Sequence, residues 1–401
     1  MPGALSGIRV IDLTHVLAGP TTTMILADLG AEVIHVEPPT GDDAREYGPF
    51  LQKVDKNHSG YFISLNRNKK SLVLNLKSPK GKEILRELLK VSDVLVENYR
   101  PGTMRGLGFD WPDIQKINPG LIYASISGFG HEALPEYARL PSYDVITQAY
   151  SGLMSLTGPE NGPPCRVGSS IGDIVAGHQA AIGILAALHH RTLTGRGQWF
   201  DGSMVEGLFS TLENAVIRYT SSGEIPKALG TAHPTITPFQ AFRALDSWIV
   251  VAVGNDKMWA CFCKTLGRED LIDDLRFRTN PLRTKNREAL ARILGEELVK
   301  KTSKEWMTIL EKDGIPCSPV NDIKQICEDP QINYRDMLVE VEQREVGKVK
   351  IAGSPYRLSE TPGKVHSGAP ALGEHTEEVL TSILKISHAE ILSLREEGVI
   401  N

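Results

Sequence analysis

The feature that most constrains the fold of this chain is the alternation of β-rich and helical patterns over its first 130 residues. Residues 7–13 (GIRVIDL) are β-rich, residues 19–31 (GPTTTMILADLGA) have helical spacing, and residues 32–37 (EVIHVE) form a second β-rich run. A strand, a helix and a strand within about 30 residues predict a right-handed βαβ unit with parallel strands. The pattern recurs in KSLVLNL, PKGKEILRELLKVS and DVLVEN, and GLIYASISGFG adds a strand. We therefore predict an α/β fold with a buried parallel sheet and helices on both faces.

The length of the chain predicts more than one domain. It has 401 residues, more than a single hydrophobic core normally organises. Residues 174–194 are predicted to form a long helix, and residues 199–223 (WFDGSMVEGLFSTLENAVIRYTSSG) a second one whose final Ser-Ser-Gly resembles a linker. After residue 223 the sequence pattern changes to a β-rich run, SWIVVAVG, followed by further helical patterns. We predict a large domain over residues 1–222, a smaller α/β domain over 223–326 and a C-terminal segment over 327–401.

Charge and composition argue against several classes of partner. The net charge is -5, which does not favour a nucleic acid or an anionic membrane. The five cysteines are odd in number and lack zinc-site spacing, so we expect no metal and a reducing compartment. The N-terminus has no basic segment followed by an apolar core, and the longest apolar stretch, 174–188, is shorter than the roughly 20 residues of a membrane span. We expect a cytoplasmic protein, or one of the mitochondrial matrix if it is a processed eukaryotic protein.

The first strand-to-helix turn, LTHVLAGPTTT, leaves two interpretations open. Glu37 stands where a ribose-binding acid would, but the turn lacks the Gly-x-Gly-x-x-Gly fingerprint, which argues against NAD. Ala18, Gly19 and Pro20 keep side chains small just before a predicted helix N-terminus, which suits a phosphate or another anion. The same residues also fit a plain tight turn with proline near the first helical position.

Basic residues are concentrated in two segments. They are Arg67, Lys69, Lys70 and Lys77, followed by Arg100 and Arg105. Such runs are usually solvated faces. The alternative is that they neutralise the phosphates of one ligand, because the ends of parallel strands face the same edge of the sheet.

Asp173, in the segment GSSIGDIV, has a structural and a chemical interpretation. At the start of a long helix it would serve as an N-cap or first-turn acid, stabilised by the helix dipole. However, Gly172 permits close approach of a ligand, and residues 174–188 carry no charge, which places the acid beside the core. A carboxylate held ionised by helix amides can act as a nucleophile in covalent catalysis. His15 and His233 are further candidates, although a loop histidine is more often structural.

Segments along the whole chain resemble those of the family III CoA-transferases, the group that includes formyl-CoA transferase. The matching segments, in chain order, are VIDLTHVLAGP, LGAEVIHVEPP, NRNKKSLVLNLKSPKGK, VENYRPG, SYDVITQAYSGLMSLTG, GDIVAGHQAAIGILAALHHRTLTGRGQ and PALGEHT. The resemblance implies a Rossmann-like large domain built from both ends of the chain, with residues 327–401 returning to it, and a small middle domain. It also implies that two subunits interlock as a homodimer.

The same resemblance implies that Asp173 is the nucleophile of a double displacement. Coenzyme A would pass from an acyl-CoA to a small carboxylic acid through an aspartyl-CoA intermediate, with no metal. By the family pattern, the CoA contacts fall on Val16, Leu17, Ala18, Leu74, Asn75, Lys77, Asn98, Tyr99, Arg100, Arg105 and Tyr143. Arg105 is one position out of step with the arginine of the family, which puts that contact in doubt.

Departures from the family pattern bear on the substrate. Formyl-CoA transferases carry Gln where Leu17 stands, Arg where Pro38 stands, and a run of glycines where only Gly254 stands here, so formyl-CoA and oxalate are less favoured. The α-methylacyl-CoA racemases use a histidine where this chain has Tyr143, and racemisation needs two opposed proton-transfer groups. A racemase, and a binding protein in which Asp173 only caps a helix, remain alternatives.

Three segments most resemble transferases that move CoA from succinyl-CoA to a dicarboxylate such as glutarate. They are NRNKKS, SGLMSLTGPENG and GTAHPTITPFQAF. A dicarboxylate needs a cation for its distal carboxylate, best a bidentate arginine. The candidates are Arg45, Arg243 and His233, with Gly254 and Asn255 as further substrate residues, and the sequence does not choose among them.

Overall fold

The computed structural model describes residues 2–51 and 58–401. Its strands are β1 (Arg9–Asp12), β2 (Glu32–Glu37), β3 (Lys69–Val73), β4 (Val94–Glu97), β5 (Ile122–Ser127), β6 (Trp199–Ser203), β7 (Phe239–Arg243), β8 (Trp248–Ala252), β9 (Cys317–Pro319), β10 (Leu338–Gln343) and β11 (Gly347–Ala352). Its α-helices are α1 (Ala18–Asp28), α2 (Gly60–Leu65), α3 (Pro79–Lys90), α4 (Thr103–Leu107), α5 (Trp111–Ile117), α6 (Pro135–Ala138), α7 (Asp144–Tyr150), α8 (Leu153–Leu156), α9 (Ile171–Thr194), α10 (Met204–Ser210), α11 (Asn214–Ser222), α12 (Asp256–Leu266), α13 (Asn280–Lys285), α14 (Arg287–Leu298), α15 (Ser303–Lys312), α16 (Ile323–Glu328), α17 (Pro330–Tyr334), α18 (Thr376–Ser382) and α19 (His388–Glu396).

Strands β1 to β6 form one sheet in the order β3-β2-β1-β4-β5-β6, and each neighbouring pair is parallel. The predicted α/β fold with a parallel sheet is therefore confirmed. The strand order reverses between β1 and β4, whose last residues are Asp12 and Glu97. In open parallel sheets a crevice forms beyond the carboxyl ends of the strands at such a reversal, and ligands bind there.

Strand β6 shows that the prediction of a single helix over residues 199–223 is wrong. Residues 199–203 pair with β5, and the helix α10 begins only at Met204. A five-residue edge strand that contains Asp201 and Gly202 has no clear alternation of its own, so its sequence does not separate it from the helix that follows. Its pairing with β5, which lies far earlier in the chain, selects the strand.

Helices cover both faces of the large sheet. One face packs on α3, α5, α18 and α19 through apolar residues such as Leu85, Ile114 and Leu380. The other face packs on α1 and α9 through small residues, among them Ala18 and Ala180. A Cβ on Gly177 of α9 would lie 2.8 Å from the carbonyl oxygen of Ala18, so glycine lets α1 and α9 pack closely. This contact places the start of α9 beside the start of α1.

The chain divides into two compact units. The first comprises Met1–Leu153, Val167–Ile217 and Pro330–Asn401, and the second comprises Met154–Arg166 and Arg218–Asp329. The predicted small domain, 223–326, falls within the second unit, and the predicted C-terminal segment falls almost wholly within the first. Residues 154–166 were predicted in the large domain, whereas contacts group them with the second unit.

The second unit has its own sheet and core. Strands β7, β8 and β9 pair antiparallel in that order. Buried side chains that include Trp259, Phe262, Phe277 and Leu294 fill the core of this unit.

Among the described residues, α9 has the length and apolar composition of a membrane span. It packs on α1, β5 and β6 of the first unit, and apolar side chains such as Ile182 and Leu185 on its other face are exposed.

Candidate active site

Two adjoining cavities of the first unit open beyond the carboxyl ends of β1 and β4. The first has a volume of about 320 Å³ and the second of about 550 Å³. His15, Asp43, Tyr99 and Thr103 line both cavities, so the segments that follow β1, β2 and β4 form a common wall. An elongated ligand that lies along this wall would enter both.

The loop from β1 to α1 is held in an unusual shape by two side chains. Val16 has a φ of 66°, in the left-handed region that β-branched residues rarely adopt. Its backbone N–H donates to both carboxylate oxygens of Asp42, at 3.2 and 3.3 Å. Asn98, just beyond β4, binds the N–H and the C=O of His15, each at 2.8 Å. Asp42 and Asn98 therefore fasten two consecutive peptide groups of the loop.

The next two peptide groups, at Leu17 and Ala18, line the first cavity. Their N–H groups have no acceptor among residues 2–51 and 58–401. Leu17 precedes α1 and Ala18 begins it, so these are donors that a helix N-terminus leaves open. They are available to an oxygen or an anion of a ligand.

A buried row of charges lies behind this loop. Lys69 Nζ is 3.1 Å from Asp12 Oδ2, His35 Nδ1 is 3.2 Å from the same oxygen, and His35 Nε2 is 3.7 Å from Asp42 Oδ2. Neither ring nitrogen of His35 has hydrogen-bond geometry, so the attraction is chiefly electrostatic. Burial opposes charging of the ring, but the Asp12 carboxylate outweighs it and raises the pKa of His35. The row therefore favours an imidazolium between two carboxylates.

Asp173 is the third residue of α9 and lines the first cavity. Its side chain has no hydrogen-bond or ion-pair partner in the part of the chain that the structure describes. The preceding residue, Gly172, donates its N–H to Asp144 Oδ1 at 2.8 Å. A Cβ on Gly172 would lie 2.6 Å from Thr147 Oγ1 and 3.1 Å from Asp144 Oδ1. Glycine therefore lets α7 pack against the first turn of α9 and set the position of Asp173.

The protonation of Asp173 differs from the expectation that helix amides hold it ionised. Burial, and then the charge of Asp144, raise the pKa of Asp173 to about 7. The side chain makes no hydrogen bond to the first-turn N–H groups, so those amides do not compensate for its desolvation. Near neutral pH the carboxyl group exchanges readily between its acid and its carboxylate.

Most of the predicted CoA contacts surround these cavities. Val16, Leu17, Ala18, Asn98, Tyr99, Arg100 and Tyr143 line the first cavity, together with Asp173. Leu74, Asn75 and Lys77 line the second, again with Tyr99. The structure thus brings together on one wall residues that follow β1, β3 and β4.

Arg105 is the exception among these residues. Its side chain is 81% exposed, its Nε is 3.0 Å from Asp110 Oδ2, and it lines a separate cavity with Trp111 and Trp199. Arg105 lies outside the two cavities, in agreement with the doubt that its sequence position raised about a contact with CoA.

The candidates for the distal carboxylate of a substrate lie in different units. Arg45 is buried in the first unit, where its Nε and Nη2 donate to Glu37 at 2.7 Å each. To bind a substrate it would have to leave this pair. His233, Arg243, Gly254 and Asn255 belong to the second unit. There, Asn255 Oδ1 accepts the N–H of Met258 and so caps α12, while His233 Nδ1 accepts the N–H of Ile236.

Three residues of the basic segments form internal ion pairs. Arg67 binds Asp28 through two nitrogens at 3.0 and 2.6 Å, Lys69 is buried against Asp12, and Lys70 pairs with Glu32. For Arg67 and Lys69, neither a solvated face nor a phosphate site is correct, because their partners lie inside the fold. Lys77 and Arg100 line the cavities.

Several residues of the site had no recognisable signal in the sequence. Tyr47 lines the first cavity and packs edge to face on Tyr61, with ring centroids 5.7 Å apart. Burial, and then the charge of Asp173, raise the pKa of Tyr61 to about 12. Asp42 and His35 were also missed, although Asp42 follows a glycine just beyond β2, where a sheet of this type places its ligand-binding loops. In the described part of the chain, no group of three or more His, Cys, Asp or Glu residues could hold a metal.

Comparisons with known proteins identify the family of this chain. The family model CoA-transferase family III matches residues 5–376. Succinyl-CoA:glutarate CoA-transferase of Homo sapiens is 39% identical over 99% of this chain and 90% of its own length. Succinyl-CoA:mesaconate CoA-transferase of Haloarcula hispanica is 40% identical over 94% of this chain and 96% of its own. The crystal structure of a CAIB/BAIF family protein from Brucella suis is 35% identical and superposes with a TM-score of 0.85, covering 96% of this chain and 100% of that one. This chain therefore belongs to CoA-transferase family III.

Proposed function

We propose that this enzyme transfers CoA from succinyl-CoA to a dicarboxylate such as glutarate, with Asp173 as the covalent carrier. The observation that carries the proposal is the position of Asp173. An unpaired carboxyl group stands in a cavity at the carboxyl edge of the sheet, beside the open N–H groups of Leu17 and Ala18. The activities named for the human and Haloarcula relatives support the donor and the class of acceptor.

The first half of the reaction loads CoA onto the enzyme. The Asp173 carboxylate attacks the thioester carbonyl of the donor, forming a mixed anhydride and releasing CoA as a thiolate. The thiolate then attacks the aspartyl carbonyl of the anhydride, which releases the donor acid and leaves an aspartyl-CoA thioester.

The second half repeats these steps with the acceptor. The acceptor carboxylate attacks the aspartyl-CoA carbonyl, forming a new mixed anhydride and releasing the thiolate. The thiolate attacks the acceptor carbonyl of that anhydride, which yields the new acyl-CoA and frees the carboxylate of Asp173. One thioester replaces another, so the energy of the thioester bond is conserved.

Each attack turns a carbonyl oxygen into an oxyanion, and the N–H groups of Leu17 and Ala18 are the donors that would bind it. Such groups stabilise a transition state most when they are fixed in place before the reaction. The grip of Asp42 and Asn98 on the two preceding residues supplies that rigidity. The half-buried setting of Asp173 also limits the access of water, which would hydrolyse the anhydride or the thioester.

The wall shared by the two cavities would hold CoA along its length. Lys77 and Arg100 provide cations for the phosphate groups, at the second and the first cavity respectively. The apolar residues Leu74 and Leu76 of the second cavity suit an adenine ring.

Within the first unit, the candidate cation for the distal carboxylate of the acceptor is Arg45, but Glu37 already neutralises its charge. The other candidates from the sequence, Arg243 and His233, are tested by replacing each with alanine. Loss of the residue that binds the distal carboxylate should raise the KM for glutarate, and should raise it much less for a monocarboxylate of similar length.

We also propose a homodimer. Helices α7, α9 and α10 pack against one another and carry exposed apolar side chains, namely Val145, Ile146, Tyr150, Ile182, Leu185 and Phe209. Clusters of exposed apolar side chains on neighbouring helices are typical of subunit interfaces. Light scattering after size exclusion should give twice the mass of the chain, and Ile182→Asp should reduce that mass.

Trapping of the activated carboxyl group tests the central proposal. The protein is incubated with succinyl-CoA and hydroxylamine, and the modified residue is mapped by peptide mass spectrometry. We expect inactivation that depends on succinyl-CoA, with a hydroxamate at Asp173. Asp173→Asn should be inert, whereas Asp336→Asn, an exposed and matched substitution, should behave as the wild type. Inactivation without modification of Asp173, or transfer by Asp173→Asn, would contradict the mechanism.

The same preparation separates the alternatives. A racemase would exchange the α-hydrogen of a 2-methylacyl-CoA with deuterium in the absence of an acceptor acid. A binding protein would retain CoA without either reaction. An acceptor series of glutarate, mesaconate, oxalate and formate, with succinyl-CoA as the donor, identifies the substrate class.

A further inference from the structure

Asp42 has contacts that exceed those of an ordinary loop carboxylate. Besides the Val16 N–H, its Oδ1 accepts the N–H of Ala44 at 2.8 Å, and its own N–H donates to Glu37 Oε2 at 3.1 Å. Glu37 is in turn held by both donating nitrogens of Arg45. Asp42 is therefore anchored to the end of β2 through its backbone and to the β1–α1 loop through its carboxylate.

The charge of Asp42 is balanced from inside the fold. The side chain is buried, with 4% of the residue exposed, and its cationic neighbour is His35 at 3.7 Å. His35 also faces Asp12, which binds Lys69. The row Lys69, Asp12, His35 and Asp42 thus runs from β3 through β1 and β2 to the loop. None of these four side chains lines the first cavity, so they reach a ligand there only through the loop.

The conformation of Val16 requires such a support. Residues other than glycine remain in the left-handed region only where the surroundings impose it, and a β-branched side chain is among the least suited. The Val16 N–H donates to Asp42, and Asn98 donates to the His15 carbonyl of the same peptide group, so these are the polar contacts that impose it here. Rotation of this peptide group would turn the next two N–H groups, those of Leu17 and Ala18, away from the cavity.

We propose that Asp42 is a positioning residue, which holds Val16 in the left-handed conformation so that the Leu17 and Ala18 N–H groups point at the reacting carbonyl oxygen. The catalytic part of this inference, an effect on the rate of transfer, rests on the proposed function. The structural part, that Asp42 sets the conformation of Val16, does not depend on any activity. Asp42 lines the second cavity but touches no reacting atom, so a positioning role predicts a loss in kcat, whereas a role in holding CoA predicts a rise in the KM for succinyl-CoA.

The test compares Asp42→Asn, Val16→Gly and the double variant, with Asp336→Asn as the matched control. If the asparagine oxygen takes the place of Oδ1, its amide replaces Oδ2 and faces the Val16 N–H and His35. In the flipped orientation the amide replaces Oδ1 and faces the N–H groups of both Val16 and Ala44. We expect Asp42→Asn to lower kcat by on the order of 10²-fold, as the loss of an oxyanion donor does, with little change in the KM for succinyl-CoA. Glycine adopts positive φ freely, so the double variant should recover about tenfold of the lost kcat.

Rates are expressed per Asp173 residue that can be labelled with hydroxylamine, and crystal structures of the wild type and Asp42→Asn give the φ of Val16. The proposal is overturned if folded Asp42→Asn keeps the wild-type kcat, or if the double variant is no faster than Asp42→Asn. A purely structural role would lower the thermal midpoint and the number of labelled sites, and glycine would not restore the rate per site. If the wild type is not labelled at Asp173, the proposed function fails, and the crystal structures still decide whether Asp42 sets the φ of Val16.

Discussion

Replacing Asp173 by asparagine should stabilise the protein at and above neutral pH while abolishing transfer. Burial, and then the charge of Asp144, raise the pKa of Asp173 from 3.8 to about 7. An acid whose pKa is higher in the folded state than in the unfolded chain binds its proton more tightly when folded. The folded state therefore loses stability as the pH rises from 3.8 to about 7, and the loss is complete above that window.

The magnitude follows from the size of this shift. A shift from 3.8 to about 7 is about three pKa units, and at about 1.4 kcal/mol per unit it costs about 4 kcal/mol at pH 8. An asparagine has nearly the same shape and no charge to desolvate, so Asp173→Asn should recover up to about 4 kcal/mol of unfolding free energy at pH 8. At about 2 °C per kcal/mol, the thermal midpoint should rise by up to roughly 8 °C.

The assay is thermal unfolding without ligand, followed by circular dichroism from pH 4 to pH 8.5, for the wild type, Asp173→Asn and Asp336→Asn. The gap between Asp173→Asn and the wild type should be small at pH 4, where the wild-type carboxyl is neutral, and should open through pH 7. Asp336→Asn should show no such trend, because Asp336 is largely exposed. A gap that does not depend on pH, or a wild type that is the more stable protein at pH 8, would refute the reasoning.

Three further predictions concern activity. Because only the carboxylate of Asp173 attacks, kcat/KM for succinyl-CoA should rise about tenfold per pH unit below the pKa of about 7 and level off above it, as measured by stopped assays over that range. Gly172→Ala should lower kcat by on the order of 10²-fold, because its Cβ would meet Thr147 Oγ1 at 2.6 Å and displace Asp173, whereas Ala→Gly changes elsewhere on α9 should not. Lys77→Ala should raise the KM for succinyl-CoA with kcat unchanged, whereas Arg105→Ala should leave both constants near those of the wild type. If initial-rate measurements show the larger rise in KM for Arg105→Ala, Arg105 contacts CoA after all.

The parts of the fold that could be predicted are those with a strong local pattern. Strands β1 and β2 are short β-rich runs buried on both faces, and α3 buries Ile84, Leu85, Leu88 and Leu89 at helical spacing, so their type and approximate bounds follow from the sequence. Strand β6 is short, lies at the sheet edge and contains Asp201 and Gly202, so nothing local identifies it before β5 pairs with it. Residues 154–166 likewise join the second unit through contacts with distant residues, such as the ion pair of Glu160 with Arg287.

For charged residues, too, the sequence shows local runs, whereas only the structure shows their partners. The sequence places Arg67 and Lys69 in a basic run but does not show that Asp28 and Asp12, on α1 and β1, face them. Buried ion pairs join residues far apart in the chain, and a local charge run looks the same whether it is solvated or paired. For this reason the buried row from Lys69 to Asp42, and with it the support of Val16, was not predicted.

The sequence by itself determined the class of fold, the family and the identity of the carboxyl group that stands at the start of α9. These depend on the order of strands and helices and on short motifs, which are local properties of the chain. Only the tertiary structure decided how that carboxyl group behaves. Its pKa depends on how deeply it is buried and on Asp144, which lies 29 positions earlier, and the open N–H groups beside it depend on Asp42 and Asn98 from other loops. Desolvation and electrostatic energy arise from the packing of distant segments, so no single stretch of sequence specifies them.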